Sequence, residues 1–378
     1  MVAAESALLV AAGLLVGATL LPLLRVPWWW VRSFDFPRLQ ILVLLVGVGV
    51  ALAVVGGPVW ALAAVAGAAL YQSWRVWPYT PLARVQSLPA TDSARTLRLV
   101  VSNVLMTNAD HARWARVVRA EDPDVIAAVE TDDAWVEALD AFADTHPHAV
   151  ALPQDDTYGM AVRSRFEIVR HEVRHLVEPE VPSLWLALRL PAGDGADEDA
   201  GDETNAGDEV TLVVVHPRPP RPDTQQDATL RDAELVRVAR ALEPEAGPVI
   251  VAGDLNDVAW SDTTTLFQKL SGLLDPRIGR GLYATFHARH AWLRYPLDHV
   301  FHSEHWAVVD LARLADVGSD HFPMRLTLAL DPQRQPQQDA PDADADDRED
   351  AAEAEDEAED FLAEETPEEK AERTADDV

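Results

Sequence analysis

The chain contains no cysteine among its 378 residues. Disulfides, zinc–thiolate sites and thiol nucleophiles are therefore excluded, while the compartment stays open. Lysine is nearly missing too, with Lys269 and Lys370 the only two against 29 arginines. No long basic stripe runs along the chain, and nonspecific binders of a polyphosphate backbone ordinarily carry one. Charge of either sign is absent from residues 6–24 and again from residues 39–74. Acidic charge is abundant but concentrated. Of the formal net charge of −32, residues 331–378 hold −17 (21 acids, 4 bases) and residues 191–209 hold −8 (no base), leaving −7 for the remainder. The body is thus mildly acidic, and both acidic segments have too few apolar groups to fold by themselves.

The uncharged runs set the organisation of the first 75 residues. Residues 6–24 are long enough to cross a hydrocarbon layer of ~30 Å. A signal peptide would begin with a basic region, which this segment lacks. Residues 39–74, as one helix, would extend ~54 Å, too far for a single span. Gly56-Gly57-Pro58 divides them, so the expectation is three transmembrane helices at about 6–24, 39–55 and 58–74. Trp28, Trp29, Trp30, Trp74, Trp77 and Tyr79 fall at the ends of these runs, where amphipathic rings favour the headgroup zone. Arg25, Arg32 and Arg38 make the first loop basic. By the positive-inside rule that loop is cytoplasmic, and three spans then put the chain after Trp74 on the same side. The expectation is an integral, multi-pass protein of the cell membrane, in contact with the lipid bilayer.

Residues 76–95, punctuated by prolines, read as a linker, and residues 96–330 as one globular domain with an acidic loop insertion at 191–209. Residues 331–378 read as a disordered acidic tail. Strands are expected at 97–102, 124–129, 159–163, 184–190, 210–215, 249–252, 297–301, 306–311 and 324–330. Amphipathic helices are marked by Trp114 and Val118, by Trp135 and Leu139, and by Leu230, Val236 and Leu242. Helices inserted between hairpin-like strand pairs favour an α+β fold of two packed sheets over a doubly wound parallel sheet.

Polar residues suited to chemistry recur at the ends of these strands. Asn103 follows the first and Glu130 the second, directly after Val125-Ile-Ala-Ala-Val129, where an acid has no packing role. His216 ends Leu212-Val-Val-Val215, and Gly253-Asp254-Leu255-Asn256 follows the next apolar run. Asp298 and His299 open another strand, and Ser319-Asp320-His321 precedes the last. Strand ends on one sheet edge converge on one patch. Glu130 offers a hard carboxylate for Mg²⁺ or Mn²⁺, with Asp320 a second candidate ligand and Asn103 the third metal-site candidate, able to orient either. His321 and His216 suit the nonbridging oxygens of a phosphate, and Asp298 suits holding His321 protonated. Asp254 can position or deprotonate an attacking water, with Asn256 bonding the phosphate. With no nucleophilic Ser or Cys motif, metal-assisted in-line attack by water fits best.

Asn103, Glu130, Tyr158-Gly159, His216-Pro217, Gly253-Asp254-Leu255-Asn256, Leu297-Asp298-His299 and Gly318-Ser319-Asp320-His321-Phe322-Pro323 together resemble the endonuclease/exonuclease/phosphatase superfamily over residues 96–330. The resemblance implies a four-layer α/β sandwich of two mixed β-sheets flanked by helices, and divalent-metal phosphoesterase chemistry. It implies Glu130 as principal metal ligand, Asp254 and Asn256 as nucleophile-positioning and phosphate-binding pair, and Asp298 with His321 as a dyad. His216 matches the histidine of the nuclease and sphingomyelinase branches. Leu105 stands where some repair endonucleases carry a further acid, which weakens a close analogy to those enzymes. The membrane-anchored layout resembles a bacterial branch of the superfamily.

The leading expectation is a membrane-anchored, divalent-metal-dependent phosphoesterase cutting a phosphodiester or phosphomonoester, an endonuclease among the activities. Arg218, Arg221, Arg277, Arg280, Arg289 and Arg294 are candidates for a phosphate-facing rim. A phospholipid headgroup or phosphosugar ester is the alternative substrate class, favoured by the apolar spans. A non-catalytic membrane scaffold is the alternative of another kind, and a full set of candidate catalytic residues argues against it. No obligate protein partner is evident.

Overall fold

The structure, a computed structural model, describes residues 2–91, 95–191, 208–220, 227–242, 247–366 and 373. Helix α1 is Val2–Leu20, α2 Trp29–Arg32, α3 Arg38–Val55 and α4 Val59–Val76. Strand β1 (Thr96–Asn103), helix α5 (His111–Glu121) and strand β2 (Val125–Val129) then form a parallel crossover unit. Helix α6 (Asp133–Leu139) leads to β3 (His148–Leu152), β4 (Met160–Ser164), β5 (Glu167–Arg174), β6 (Ser183–Arg189) and β7 (Glu209–Val215). Helix α7 (Thr229–Ala241) connects β7 to its parallel neighbour β8 (Val249–Asp254). Helix α8 (Asp262–Ser271), β9 (Asp298–His302), β10 (Trp306–Arg313), β11 (Met324–Leu330) and α9 (Ala345–Glu364) complete the chain.

The strands form two mixed sheets, ordered β10-β11-β1-β2-β4-β3 and β5-β6-β7-β8-β9. Alternation along each strand sorts side chains to two faces. Leu97, Leu99, Val101, Val125, Ala127, Leu212, Val214, Ile250 and Ala252 fill the layer between the sheets. Val100, Ile126 and Ala128 face the opposite way, under Trp114, Val118 and Trp135 of α5 and α6. Val213, Val249 and Val251 meet Leu235 and Val238 of α7 and Phe267 of α8. The result is helix, sheet, sheet, helix: the four-layer α+β sandwich expected.

All nine expected strands are present, each boundary within two residues. The two missed, β3 and β5, are edge strands with half their residues in water, so their sequences lack the continuous apolar runs of central strands. Helix α8 was missed because it buries Thr263, Thr264 and Gln268 beside Phe267, a face with too few apolar positions to read as amphipathic. Strands β6 and β7 pair as an antiparallel hairpin around the acidic insertion; residues 192–207 of that insertion lie outside the described residues.

Over the helix at Ala345–Glu364 the tail departs from its expectation of disorder, whereas residues 367–372 and 374–378 lie outside the described residues. Asp344 caps α9 through a reciprocal capping box with Asp347, and the helix packs on α7, with Ala358 beside Leu230 and Ala233. Lys269 pairs with Asp347 at 2.8 Å and Arg237 with Glu359 at 2.6 Å. The stripe of Ala351, Ala358 and Leu362 is too narrow to announce itself in sequence. The basic residues that receive the helix lie more than seventy positions away.

Two N-terminal segments, Ala3–Leu24 and Arg38–Val55, are long and apolar enough to cross a membrane by length and composition. The third expected span is helical over Val59–Val76, but Gln72, Ser73 and Arg75 in its last turns keep it out of that set. Gln72 bonds Arg38 and Thr19 inside the bundle. Two of the three arginines used to orient the first loop are consumed by the protein itself. Arg38 pairs with Asp35 at 2.5 Å and Arg32 with Asp232 at 2.7 Å, so they are poor measures of free loop charge. The linker is not a free tether either, since Ala90 N–H donates to the Val308 carbonyl at 2.9 Å.

The bundle is seated on the loop after β8. Tyr79 donates its hydroxyl to the Ala259 carbonyl, Trp260 donates its indole N–H to the Asp35 carbonyl at 2.7 Å, and Arg75 pairs with Asp262 at 2.7 Å.

Candidate active site

The topology explains why the candidate residues meet. Strands β1, β2, β7 and β8 run parallel in two pairs and present their C-terminal ends at one rim. Strands β9 and β11 run antiparallel to their neighbours and present their N-terminal ends there. In register, Asn103 lies opposite Val129, Val215 opposite Gly253, Asp254 opposite Asp298 and Val101 opposite Met324. The two sheets face each other, so β1–β2 and β8–β9 place Asn103, Glu130, Asp254 and Asp298 across a narrow gap.

Gly253 is required inside the strand. At φ +150° a Cβ there would lie 1.9 Å from the Val215 carbonyl oxygen. Gly159 is equally constrained, with a Cβ 1.9 Å from the Thr131 carbonyl oxygen. The turns that aim the site are made by side-chain-bearing residues, Glu130 at φ 62° and Asn256 at φ 51°. Non-glycine residues rarely occupy that region, and those that do cluster at functional sites.

A hydrogen-bonded series crosses the gap. Asn103 donates its Nδ2 protons to Glu130 Oε1 at 2.6 Å and to Asp254 Oδ2 at 3.0 Å. Its Oδ1 is occupied by the Leu105 N–H at 3.0 Å, so the amide presents donors to the pocket and orients the carboxylates. Asp254 Oδ2 also faces His321 Nε2 at 3.4 Å, and its Oδ1 accepts the Asn256 N–H at 2.9 Å. His321 Nδ1 donates to Asp298 Oδ2 at 2.7 Å. Burial alone would lower the His321 pKa, yet the Asp298 and Asp254 carboxylates outweigh it and push it up to about 10. His321 is therefore an imidazolium at neutral pH, while burial pushes the Asp298 carboxyl up against the pull of the His321 charge.

His216 joins from β7. Its Nδ1–H donates to the Thr157 carbonyl at 3.0 Å, which leaves Nε2 facing Glu130 Oε1 at 4.0 Å. Asn256 donates Nδ2 to the Pro217 carbonyl at 3.0 Å, fixing it beside the β7 end. Asp320 adds its charge to those that raise the His321 pKa. Its carboxylate reaches Ser319 Oγ at 3.5 Å and does not hydrogen-bond to Asn103, so its expected place as a second metal ligand has no contact behind it. His299, part of the same motif, is a core residue: it bonds the Asp257 carbonyl at 2.9 Å and Arg277 at 2.6 Å. Burial and the Arg277 charge hold its pKa well below the usual histidine range.

The donor set suits a hard divalent cation at Glu130. Burial pushes the Glu130 pKa up, and Oε2 accepts a long bond from the Met106 N–H at 3.4 Å. A buried carboxylate with an oxygen so weakly met offers coordination to a cation. Ligand atoms of Asp254, Asp298 and His321 also lie within 4.8 Å of one another, but His321 Nδ1 is committed to Asp298 and an imidazolium has no lone pair to give a metal. Asp298 Oδ1 is buried with no hydrogen-bond partner among the described residues.

Part of the predicted arginine rim is structural. Arg218 is buried against Glu178 at 3.0 Å and Arg277 against Asp275 at 2.7 Å; Arg221 lies outside the described residues. Sequence reasoning missed Thr285, whose Oγ1 accepts the Asp298 N–H at 3.2 Å, and Phe286, whose ring lies 5.0 Å from the His321 ring. Ser319 proves to be a brace: its Oγ donates to the Asn103 carbonyl and accepts the His321 N–H, each at 3.0 Å. None of these carries a sequence signal beyond lying near a motif.

The sequence matches the family model described as the endonuclease/exonuclease/phosphatase family over residues 100–321, more than half of the chain. The chain belongs to the endonuclease/exonuclease/phosphatase family. Members of that family are hydrolases acting on phosphoester bonds, and they generally use a divalent metal. Among solved structures, an endonuclease/exonuclease/phosphatase from Beutenbergia cavernae is similar at 21% identity, over 63% of this chain and 72% of that one, with a TM-score of 0.48. D. rerio TDP2 complexed with a single-strand DNA product is similar at 18% identity over 62% and 98% of the two chains, with a TM-score of 0.46. The human Nocturnin catalytic domain is similar at 16% identity over 63% and 96%, with a TM-score of 0.47. No curated protein sequence matches the chain.

Proposed function

We propose that this chain is a membrane-anchored hydrolase of phosphoester bonds that depends on a divalent cation and works by in-line attack of water. Residues 1–75 form the anchor and 96–330 the catalytic domain. The series Glu130–Asn103–Asp254–His321–Asp298, brought to one rim from five separate strand ends, carries the reading. A protein that merely kept the fold has no use for an imidazolium clamped between two buried carboxylates.

Asp254 orients a water and takes its proton, with Asn103 fixing the carboxylate's rotation. His321 donates through Nε2 to a nonbridging phosphoryl oxygen, and Asp298 keeps it charged so that it can do so. Asn256 has a second amide proton for the same phosphate. His216, held by the Thr157 carbonyl, presents Nε2 to the site from the β7 side. Glu130 would hold Mg²⁺ or Mn²⁺, which would supply Lewis-acid polarisation of a phosphoryl oxygen.

Full-length protein in detergent, supplied with Mg²⁺ or Mn²⁺, is expected to cleave a chromogenic phosphodiester or phosphomonoester. Glu130→Gln is expected to lower turnover by about a hundredfold or more and to abolish Mn²⁺ binding measured calorimetrically. Wild-type protein inert toward every phosphoester offered, with Mn²⁺ binding unaffected by the substitution, would leave the scaffold reading in its place.

A further inference from the structure

We infer that the phosphoester cut at this site is carried by a lipid in the bilayer, and that residues 286–294 form a wall of the site that inserts at the membrane surface. The inference rests on the hydrolase and anchoring readings above and adds the substrate class.

The segment has a composition unlike the rest of the domain surface. Trp292 is 60% and Leu293 46% exposed, side by side in a one-turn 3-10 helix, Ala291–Leu293. They are flanked by His287, Arg289, His290 and Arg294. Large apolar side chains bracketed by arginine and histidine match the headgroup zone, where rings enter the acyl boundary and cations stay among the phosphates.

One side of this segment is fixed to the catalytic rim. The Ala288 N–H donates to the Asp320 carbonyl at 2.6 Å, and Arg289 Nη2 donates to the Gly318 carbonyl at 2.9 Å. Phe286 lies against the His321 ring, and the Arg294 guanidinium stacks over Phe322.

The other side is fixed to the apolar helices. Gln40, in the first turn of α3, donates to the Trp292 carbonyl at 2.6 Å, and Phe36 meets Tyr295 edge-on at 5.6 Å. Outward-facing apolar surface on α3 begins with Leu39, 39% exposed, and Val43, 52% exposed. From Gln40 to Val43 is ~4.5 Å along a helix, so once α3 enters a bilayer, Trp292 is held at headgroup depth. Trp28, Trp30 and Trp77, 48%, 40% and 50% exposed, adjoin the same end of the bundle, where α1 and α4 finish and α3 begins. Exposed aromatic surface thus runs from the helices onto the wall of the site. A lipid phosphoester reaches His321 from this side without its acyl chains leaving the bilayer, whereas a nucleic acid would have to work against a rim backed by lipid.

The absence of cysteine gives a clean test. Leu293→Cys in the full-length protein accepts a single spin label, and the protein is reconstituted into phosphatidylcholine–phosphatidylglycerol vesicles. Relative accessibility to oxygen and to a water-soluble nickel complex then reports depth. In parallel, Mg²⁺-dependent cleavage of phospholipid in those vesicles, of the matching water-soluble glycerophosphodiester and of single- and double-stranded DNA is measured. The label is expected at headgroup depth or below, with lipid turnover exceeding that of the soluble ester and of DNA. The Trp292→Ser/Leu293→Ser variant is expected to lower the lipid-to-soluble-ester ratio by about tenfold or more. Both side chains are exposed, so the fold should tolerate the change. A label in bulk water, a ratio unmoved by the double substitution, or DNA preferred over lipid overturns this inference and leaves the hydrolase reading standing. Failure to cleave any of these esters, with the label at headgroup depth, sinks the hydrolase reading instead and the substrate assignment with it.

Discussion

Asp298→Asn tests the electrostatics of the site most directly. The carboxylate lies 2.7 Å from His321 Nδ1, and at an effective dielectric of ~20 that contact is worth ~6 kcal/mol, or about four and a half pKa units at ~1.36 kcal/mol each. Removing it from an imidazolium held at about 10 brings His321 to about 5.5, and to no higher than about 6.5 with a unit allowed for error. Asparagine keeps the shape and can still accept the Nδ1 proton. The neutral ring then carries no proton on Nε2, the nitrogen that faces Asp254, and the donor to phosphate is lost. Wild-type His321 stays protonated across neutral pH, so its activity should be flat from about pH 6 to about pH 8. Even at the upper value of about 6.5 the protonated fraction in the variant falls from about 0.8 to about 0.03 over that range, a drop in kcat/KM of at least about 25-fold. The assay is cleavage of a soluble chromogenic phosphoester by the full-length protein at constant Mg²⁺. A variant slower by a constant factor, with no steeper fall toward alkaline pH, would mean that Asp298 does not set the charge of His321.

Asn103→Leu removes both donors between Glu130 and Asp254 while roughly keeping volume. The Mg²⁺ concentration for half-maximal activity should rise about 10–100-fold, read from a metal titration, whereas an unchanged requirement would place the amide outside the metal's surroundings. Gly253→Ala adds a methyl 1.9 Å from a backbone oxygen at a φ that side chains avoid. It should destabilise the domain by about 3 kcal/mol or more and lower the melting temperature by roughly 6–12 °C. Calorimetry showing less than about 2 °C would show that the β7–β8 pair yields easily.

The sequence alone determined what is local. Apolar alternation placed every central strand, because a strand buried on both faces has to be apolar along its length. The Gly-Gly-Pro break and the uncharged runs located the N-terminal helices. The motifs at strand ends named Asn103, Glu130, His216, Asp254, Asn256, Asp298 and His321, since an acid or amide directly after a buried run has little reason to be there except chemistry. Tertiary structure decided whatever depends on a partner distant in the chain. Edge strands β3 and β5 exist because a neighbour completes their hydrogen bonds, and α9 is ordered because arginines of α7 and Lys269 of α8 receive its acids. Arg32, Arg38, Arg218 and Arg277, which read as free positive charge, are consumed by carboxylates that only folding brings near. The same juxtaposition sets His321 at about 10 and holds Trp292 beside an apolar helix, because charge and burial are properties of surroundings, and the surroundings of a side chain come from strands and helices scattered along the whole chain.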